Sequence, residues 1–336
     1  MTQAEQHDAT PAPAETTAAA APIRAYKAFD QNLQCRGFQF EVGKTYEHDG
    51  EVAACKSGFH ACENPLDVWN YYPLDSRYAV VDLSGAASLH SDDSKIAAAR
   101  ITISAEIALP QIISDGVSYL MGLCKAAFAL KPDAAASGYR SKLAASGDGS
   151  KLAASGNDSK LAASGNYSQL AASGDGSQLA ASGNGSQLAA SGNYSQLAAS
   201  GDGSQLAASG NDSKLAASGN DSKLAASGND SKLAASGDGS QLAASGNYSQ
   251  LAASGYRSQL AASGYRSKLA ASGDGSVCVS AGLGATARAG DGGAIALTYY
   301  DGTRYRIAVA YVGENDIEPH VNYRVNDAGE FVRAQD

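Results

Sequence analysis

Residues 150–176 read SKLAASGNDSKLAASGNYSQLAASGDG, three turns of a nine-residue unit, Ser-[Lys/Gln]-Leu-Ala-Ala-Ser-Gly-x-x, that runs fifteen times without a break from Ser141 to Gly275. Three structures could carry it. In a helix, nine residues make two and a half turns, so successive leucines would fall on opposite faces. Each unit also contains a Ser-Gly-[Asn/Asp/Tyr] stop. Disorder suits a Gly- and Ser-rich composition, but a flexible linker has no use for one Leu at constant phase. A β-solenoid uses every position. Side chains alternate sides along a strand, so with Leu143 inside, Ser141 and Ala145 also face in, and Lys142, Ala144 and Ser146 face out. Gly147 and the two variable residues make the corner, where Gly, Asn and Asp tolerate positive φ. Two units would close a coil of eighteen residues; a triangular coil of three is the geometric alternative. Coils stack about 4.8 Å apart.

Worn copies flank the array: PDAAASGYR at 132–140, SVCVSAGLG at 276–284 and ATARAGDGG at 285–293. Atypical terminal repeats are expected of a stack whose last coil has one neighbour. The reading divides the chain into a disordered tail (1–23), a small α/β domain (24–131) that caps the solenoid, the array (132–293) and a β-rich C-terminal cap (294–336). The overall class is mainly β. In the N-terminal domain, 78–83 and 99–107 alternate as strands and 111–130 reads as a helix. In the cap, 294–300 and 304–312 flank Asp301-Gly302-Thr303 as a hairpin, and 321–325 and 330–333 make a second pair.

Composition narrows the function. Net charge is −9, with 37 glycines and only 7% aromatics among 336 residues. No Lys/Arg block is present, which disfavours nucleic acid as a partner. No apolar run is long enough for a bilayer, and the start lacks the basic and apolar regions of a signal peptide. Five scattered cysteines point to a reducing compartment rather than a disulfide framework.

Each chemical motif has a bland reading. The Ser-Gly-Asn-Asp corners resemble the nonapeptide calcium roll, but the glycine pair is Ala-Ala, the Leu is one position late and Asp occupies the ligand position in only four copies. Calcium needs six to eight oxygens, so Asn and Asp are read as corner formers. The Gly-x-x-Ser-x-Leu-x-Ala phase resembles ice-nucleation repeats, whose outward Thr ladder is replaced here by Lys/Gln, Ala and Ser. Cys35, Cys55, His60 and Cys62 could supply four zinc ligands, yet paired Cys-x-x-Cys knuckles are missing. The array holds no His, so its serines have no base. No cofactor is expected. A DNA mimic would need an unbroken acidic stripe, whereas nine Asp corners nearly balance seven Lys and the Arg corners.

Tyr26-Lys27-Ala28-Phe29, Gly58-Phe59-His60-Ala61 and the segment from Asp67 to Tyr72 resemble ADP-ribosyltransferase-like folds, with Glu106 the sole candidate by position for the catalytic Glu. That gives an enzymatic alternative. More extensively, YKAFDQNLQCRGFQFEVGKTYE (26–47) and CKSGFHACENPLDVWNYYP (55–73) resemble a family of uncharacterised phage and prophage proteins with this opening domain, nonapeptide arrays and a short β ending. The resemblance implies expression in a bacterial host, in its cytoplasm or in a virion, and brings no catalytic residue. The leading expectation is a non-enzymatic scaffold that binds a protein, either a host defence or regulatory protein or a virion component; a homo-oligomer stays open. The corner residues Tyr139, Arg140, Tyr167, Tyr194, Tyr248, Tyr256, Arg257, Tyr265 and Arg266 are the candidate contacts, since exposed Tyr offers rigid amphipathic area.

Overall fold

The computed structural model describes residues 21–90, 93–125 and 133–334. The expected tail therefore lies outside the described residues up to position 20, as does the end of the expected helix at 126–130. The chain is mainly β. Strands β1 (Ile23–Phe29), β2 (Gln34–Cys35), β3 (Phe38–Gln39), β4 (Thr45–Glu47), β5 (Phe59–Cys62), β6 (Arg77–Leu89) and β7 (Lys95–Ile107) precede helix α1 (Leu109–Lys125). One strand per repeat follows: β8 (Asp133–Ala136), then β9 to β23 at intervals of nine from Lys142–Ala145 to Lys268–Ala271. The ending supplies β24 (Val277–Ser280), β25 (Thr286–Arg288), β26 (Ala294–Tyr300), β27 (Tyr305–Tyr311), β28 (Tyr323–Val325) and β29 (Phe331–Arg333).

The coil holds two repeats, not three. Leu152 pairs with Leu170 and Leu161 with Leu179, always eighteen residues on and in parallel. Alternate strands build two facing sheets of eleven strands each, about nine coils long. Leu and the second Ala of every repeat point between them, and Leu206, Ala208, Leu215 and Ala217 are nearly or fully buried. Each buried Leu contributes about 1.5–3 kcal/mol. The inward Ser is buried as well, and its hydroxyl is satisfied locally: Ser168 Oγ donates to the Gly165 carbonyl at 2.7 Å. That bond removes the penalty of a hydroxyl in an apolar interior.

The corner differs from its sequence reading in one respect. Positive φ falls on the second variable residue only, whether Gly (Gly203, 66°), Asp (Asp212, 55°), Tyr (Tyr194, 58°) or Arg (Arg257, 53°). The first variable residue is Asn or Asp for another reason. Its side-chain oxygen accepts the backbone N–H one coil later, as Asn211 Oδ1 does from Asn229 (2.9 Å) and Asp202 Oδ1 from Asn220 (2.8 Å). These ladders of side-chain acceptors hold successive corners in register. Asn211→Ala should lose one such bond and lower stability by about 1 kcal/mol, read as a small fall in the urea midpoint; an unchanged midpoint would show that water replaces the acceptor.

The N-terminal unit is a β domain, not the expected α/β one. Its five-stranded sheet has the order β4-β7-β5-β1-β6, and β6 and β7 form a long bent antiparallel pair with register shifts at Val80/Val81 and Ser84/Ala87. Its own core gathers Phe29, Phe40, Val81, Leu83, Ile96, Ile101 and Ile103. Nor does the domain cap an end of the solenoid. It lies across one broad face. A 3-10 helix at Pro65–Asn70 opens on Asn64, whose side chain accepts the Leu66 N–H, with Pro65 in the first position where its missing N–H costs nothing. This helix and α1 press Leu66, Val68, Trp69, Ile112 and Ile113 onto Ala180, Ala198, Ala216, Ala234 and Ala252 of five successive strands. Sheet faces built of Ala are flat, so bulky side chains from the domain can cover them without voids.

At the C-terminal end, β26 continues the uncovered sheet in parallel with β24, and β27 folds back antiparallel on β26. The β28–β29 hairpin closes the covered sheet, with Ala287 opposite Tyr323. Both hairpins fall where the alternation and the turn residues placed them.

Candidate functional site

The docked domain makes the two faces of the solenoid unequal. On the docked face, the outward second residues of the repeats are Lys142, Lys160, Gln178, Gln196, Lys214, Lys232, Gln250 and Lys268, five Lys in eight. The domain meets the middle of this row with acceptors. Asp67 accepts from Gln196 Nε2 at 2.9 Å and lies 3.8 Å from Lys214 Nζ, while Asn64 Nδ2 donates to Gln196 Oε1 at 3.1 Å. Lys214 also donates to the Leu66 carbonyl, and Lys232 to the carbonyls of Trp69 and Tyr72. Every outward Ala on this face is alike, so the Lys/Gln order is what distinguishes one docking position from a slip by a coil.

Burial has titrating consequences. Desolvation lowers the Lys214 and Lys232 pKa, the latter to about 8. For Lys232 the folded chain releases its proton more readily than the unfolded one, whose Lys titrates near 10.4. Between those values the unfolded state binds more protons, so this residue's contribution to stability rises with pH. The stability difference between the wild type and Lys232→Met should thus move in favour of the wild type from about pH 8 towards pH 10. Urea titrations read by the fluorescence of Trp69 would show it. A difference independent of pH would mean that the Lys232 ammonium stays hydrated. Titrating groups away from Lys232 are common to both chains and cancel, whereas Lys214 and Asp212 feel its charge and shift with its removal.

Above this contact, one edge of the solenoid and the domain enclose a cleft of about 900 Å³. Glu63, Asp67, Asp93, Asp158, Asp175 and Asp212 line it against Lys160 and Lys214, so its field is acidic. Tyr139 and Tyr194 stand at its solenoid side and Tyr119 at its domain side. Burial raises the Asp212 pKa, and nearby Asp230 adds to the effect.

The nine corner residues named from the sequence do not form one cluster. The edge beside this cleft carries Tyr139, Arg140, Tyr194, Tyr248, Tyr265 and Arg266; the opposite edge carries Tyr167, Tyr256 and Arg257. All six tyrosines are exposed. The Tyr-Arg corners are internally stacked, with the guanidinium 4.8 Å from the ring at Tyr139 and Tyr256 and 5.1 Å at Tyr265. Tyr248 and Tyr265 meet edge to face at 5.9 Å on adjoining coils. Stacking limits the rotamers these rings lose on contact with a partner.

Among the described residues, nothing covers the other face. Lys151, Gln169, Gln187, Gln205, Lys223, Gln241 and Gln259 form one outward row, and Ala153 to Ala261 form the next. The rows bound two parallel grooves of about 1260 and 1360 Å³ that run the length of the sheet. Sequence reasoning treated the two faces as equivalent and so missed this groove pair; the sole signal was the Lys/Gln bias between odd and even repeats.

The zinc candidates are dispersed. His60 Nε2 accepts the Cys55 N–H at 3.0 Å, Cys62 is buried with its thiol pushed up by desolvation, and Cys55 is exposed. Among the described residues, no group of three or more His, Cys, Asp or Glu is placed to hold a metal ion. Lys27 sits at their centre instead. It is buried, donates to the His60 carbonyl (3.1 Å), lies 3.6 Å from Cys35 Sγ, and faces the Phe29, Phe40 and Tyr72 rings. Glu106, the enzymatic candidate, is held by both nitrogens of an Arg77 fork at 2.7 Å, which lowers its pKa.

Residues 23–115 match the family model DUF7666, described as a domain of unknown function. A stretch of 43 residues, 13% of this chain, is 54% identical to the uncharacterized protein YdhT of Escherichia coli (strain K12) and spans 16% of that protein. No solved structure matches the chain. Among the described residues, no helix is long and apolar enough to cross a membrane.

Proposed function

We propose that the chain is a non-enzymatic scaffold whose solenoid receives a protein partner on its uncovered face and on the tyrosine-bearing edge beside the acidic cleft. One observation carries this reading. The same Ala-lined surface that the chain's own domain covers on one side is left bare on the other, over the full length of the array. A face that accepts Leu, Trp and Ile side chains over five strands has a twin with the same Ala rows that no other described residues cover. The edge adds rigid Tyr-Arg pairs, which suit hot-spot contacts. From the opening-domain resemblance we infer a partner in a bacterial cytoplasm or a virion, and a component of a host defence system is the partner we favour.

Two sets of variants test the assignment. Tyr194→Ala with Tyr248→Ala and Tyr265→Ala removes the edge; Ala189→Glu with Ala207→Glu and Ala225→Glu charges the bare face. Both keep the interior intact. Capture of host proteins by the wild type should be lost in one set or both. Equal capture by all three chains would move binding to the N-terminal domain and end the proposal.

A further inference from the structure

The uncovered sheet ends on β27, which among the described residues has no strand on its far side. The Val312 N–H donates to the Gly293 carbonyl at 2.9 Å, and Ala294 faces Tyr311 in the ladder. This phase makes residues 306, 308 and 310 the ones bonded to β26. The N–H and C=O groups of Tyr305, Ile307 and Val309 therefore point out of the sheet margin. Such a margin is a template for another strand, and natural proteins commonly blunt it with charge, Pro or a bulge. On β27 neither Pro nor a bulge interrupts the ladder, and its one charge, Arg306, is paired with Asp301 in its own turn. Its outward side chains are instead a stripe of large apolar groups: Tyr305, Ile307, Val309 and Tyr311 are 68, 66, 54 and 55% exposed. Val277 and Val279, also exposed, lie two strands away in the same register. This patch contrasts with the Gln and Ala rows that fill the rest of the face.

We propose that β27 pairs antiparallel with β27 of a second copy about a two-fold axis normal to the sheet, joining two solenoids tail to tail. The strand is complementary to itself in three ways. First, a register centred on Ala308 places Ile307 opposite Val309 and Tyr305 opposite Tyr311 of the second copy, with the Tyr311 carbonyl, which also accepts the Glu314 N–H, as a shared acceptor. Both are same-face pairs of the kind that stabilise sheets. Second, no like charges meet, because Arg306 is held by Asp301 in its own turn and faces Ala310 across the axis. Third, a two-fold normal to the sheet keeps both outward faces on one side, so the two apolar stripes merge and the uncovered grooves run on into the second copy. A closed isologous contact of this kind stops at two copies, whereas a head-to-tail contact would propagate. The occupant is a second copy rather than the partner of the proposed function, whose surface lies along the array.

The full chain is tested by sedimentation equilibrium at micromolar concentration. The wild type should have about twice the 34.0 kDa chain mass. Ile307→Lys with Val309→Lys sets like charges opposite each other twice and should return the single-chain mass. Ile307→Lys with Val309→Glu sets opposite charges there and should keep the doubled mass. Circular dichroism of all three checks that the array is folded. A wild type at single-chain mass would overturn the proposal, as would a doubled mass in the Lys/Lys variant. Loss of the doubled mass in the Lys/Glu variant would overturn the register centred on Ala308. Capture of a partner by the single-chain variant would leave the proposed function standing on its own.

Discussion

Ala216→Arg should detach the N-terminal domain, whereas Ala207→Arg, the same substitution at the same position of the neighbouring repeat, should leave the protein unchanged. Ala216 is fully buried between the docked face and the domain, in contact with the cluster that contains Trp69 and Leu66. Ala207 is one repeat away on the uncovered face and is exposed. A guanidinium forced between the faces has Lys214 for a neighbour and would have to share Asp67 with it. An uncompensated buried charge of that kind costs about 3–5 kcal/mol, more than a contact of five alanines can absorb. A surface substitution away from special features stays within about 0.5 kcal/mol. The chain has a single Trp, and Trp69 is fully buried at this contact, so its emission reports docking directly. The expected result is a red-shifted emission in native buffer for Ala216→Arg and a wild-type spectrum for Ala207→Arg, with the far-ultraviolet dichroism of the array equal in both. Identical spectra from the two variants would mean that the faces are equivalent in solution and that the domain does not rest on the alanines.

The contrast between these two residues shows how far the sequence could be read. Leu at a period of nine had to be inside, because it was the only bulky apolar residue in the unit, and Ser, Leu and Ala followed from strand alternation. The number of repeats per coil was not legible. A triangular coil buries the same Leu, and the choice rests on corners such as Asn211-Asp212, where a left-handed second residue reverses the chain after four strand residues. Asn and Asp tolerate that conformation, but only the second of the pair adopts it; the first is kept by its side-chain bond to the next coil. The docking site was hidden by the repetition itself. Ala198, Ala207 and Ala216 sit in the same Leu-Ala-Ala-Ser-Gly frame, and beyond the Lys or Gln two residues before each it is long-range partners such as Asp67 and Asn64, some 130 residues earlier, that tell them apart. The scatter of the Tyr corners over two edges follows from the two-repeat coil and became visible once that was known.

Gly210→Ala should break the stack. In most settings Gly to Ala at a permissive φ stabilises a protein by about 0.4–1 kcal/mol, because the unfolded chain loses freedom. Here the φ is ordinary and the obstacle is the neighbouring coil: a Cβ on Gly210 would stand 2.3 Å from the Gly192 carbonyl oxygen and 2.6 Å from the Asn193 nitrogen. Those atoms are backbone and cannot rotate away. Coils must part locally, which strains the bonds on either side, Ser209 N–H to the Ala190 carbonyl and Asn211 N–H to Asn193 Oδ1. Overpacking of this kind costs about 1–3 kcal/mol and more where nothing can yield, so a loss of about 3 kcal/mol is expected. Gly203 supplies the contrast. It has a left-handed φ of 66° and nothing within 4 Å of its Cβ position. Asn tolerates that conformation, so Gly203→Asn should cost less than about 1 kcal/mol. In a linear stack a fault divides the array into two cooperative blocks. Amide exchange should therefore lose protection around residues 190–212 in Gly210→Ala, with the coils towards the C-terminal hairpins still protected. Equal protection throughout would show that the coils are spaced more loosely than a glycine-to-glycine contact requires, and that the conserved phase of Gly in every repeat has a cause other than this approach.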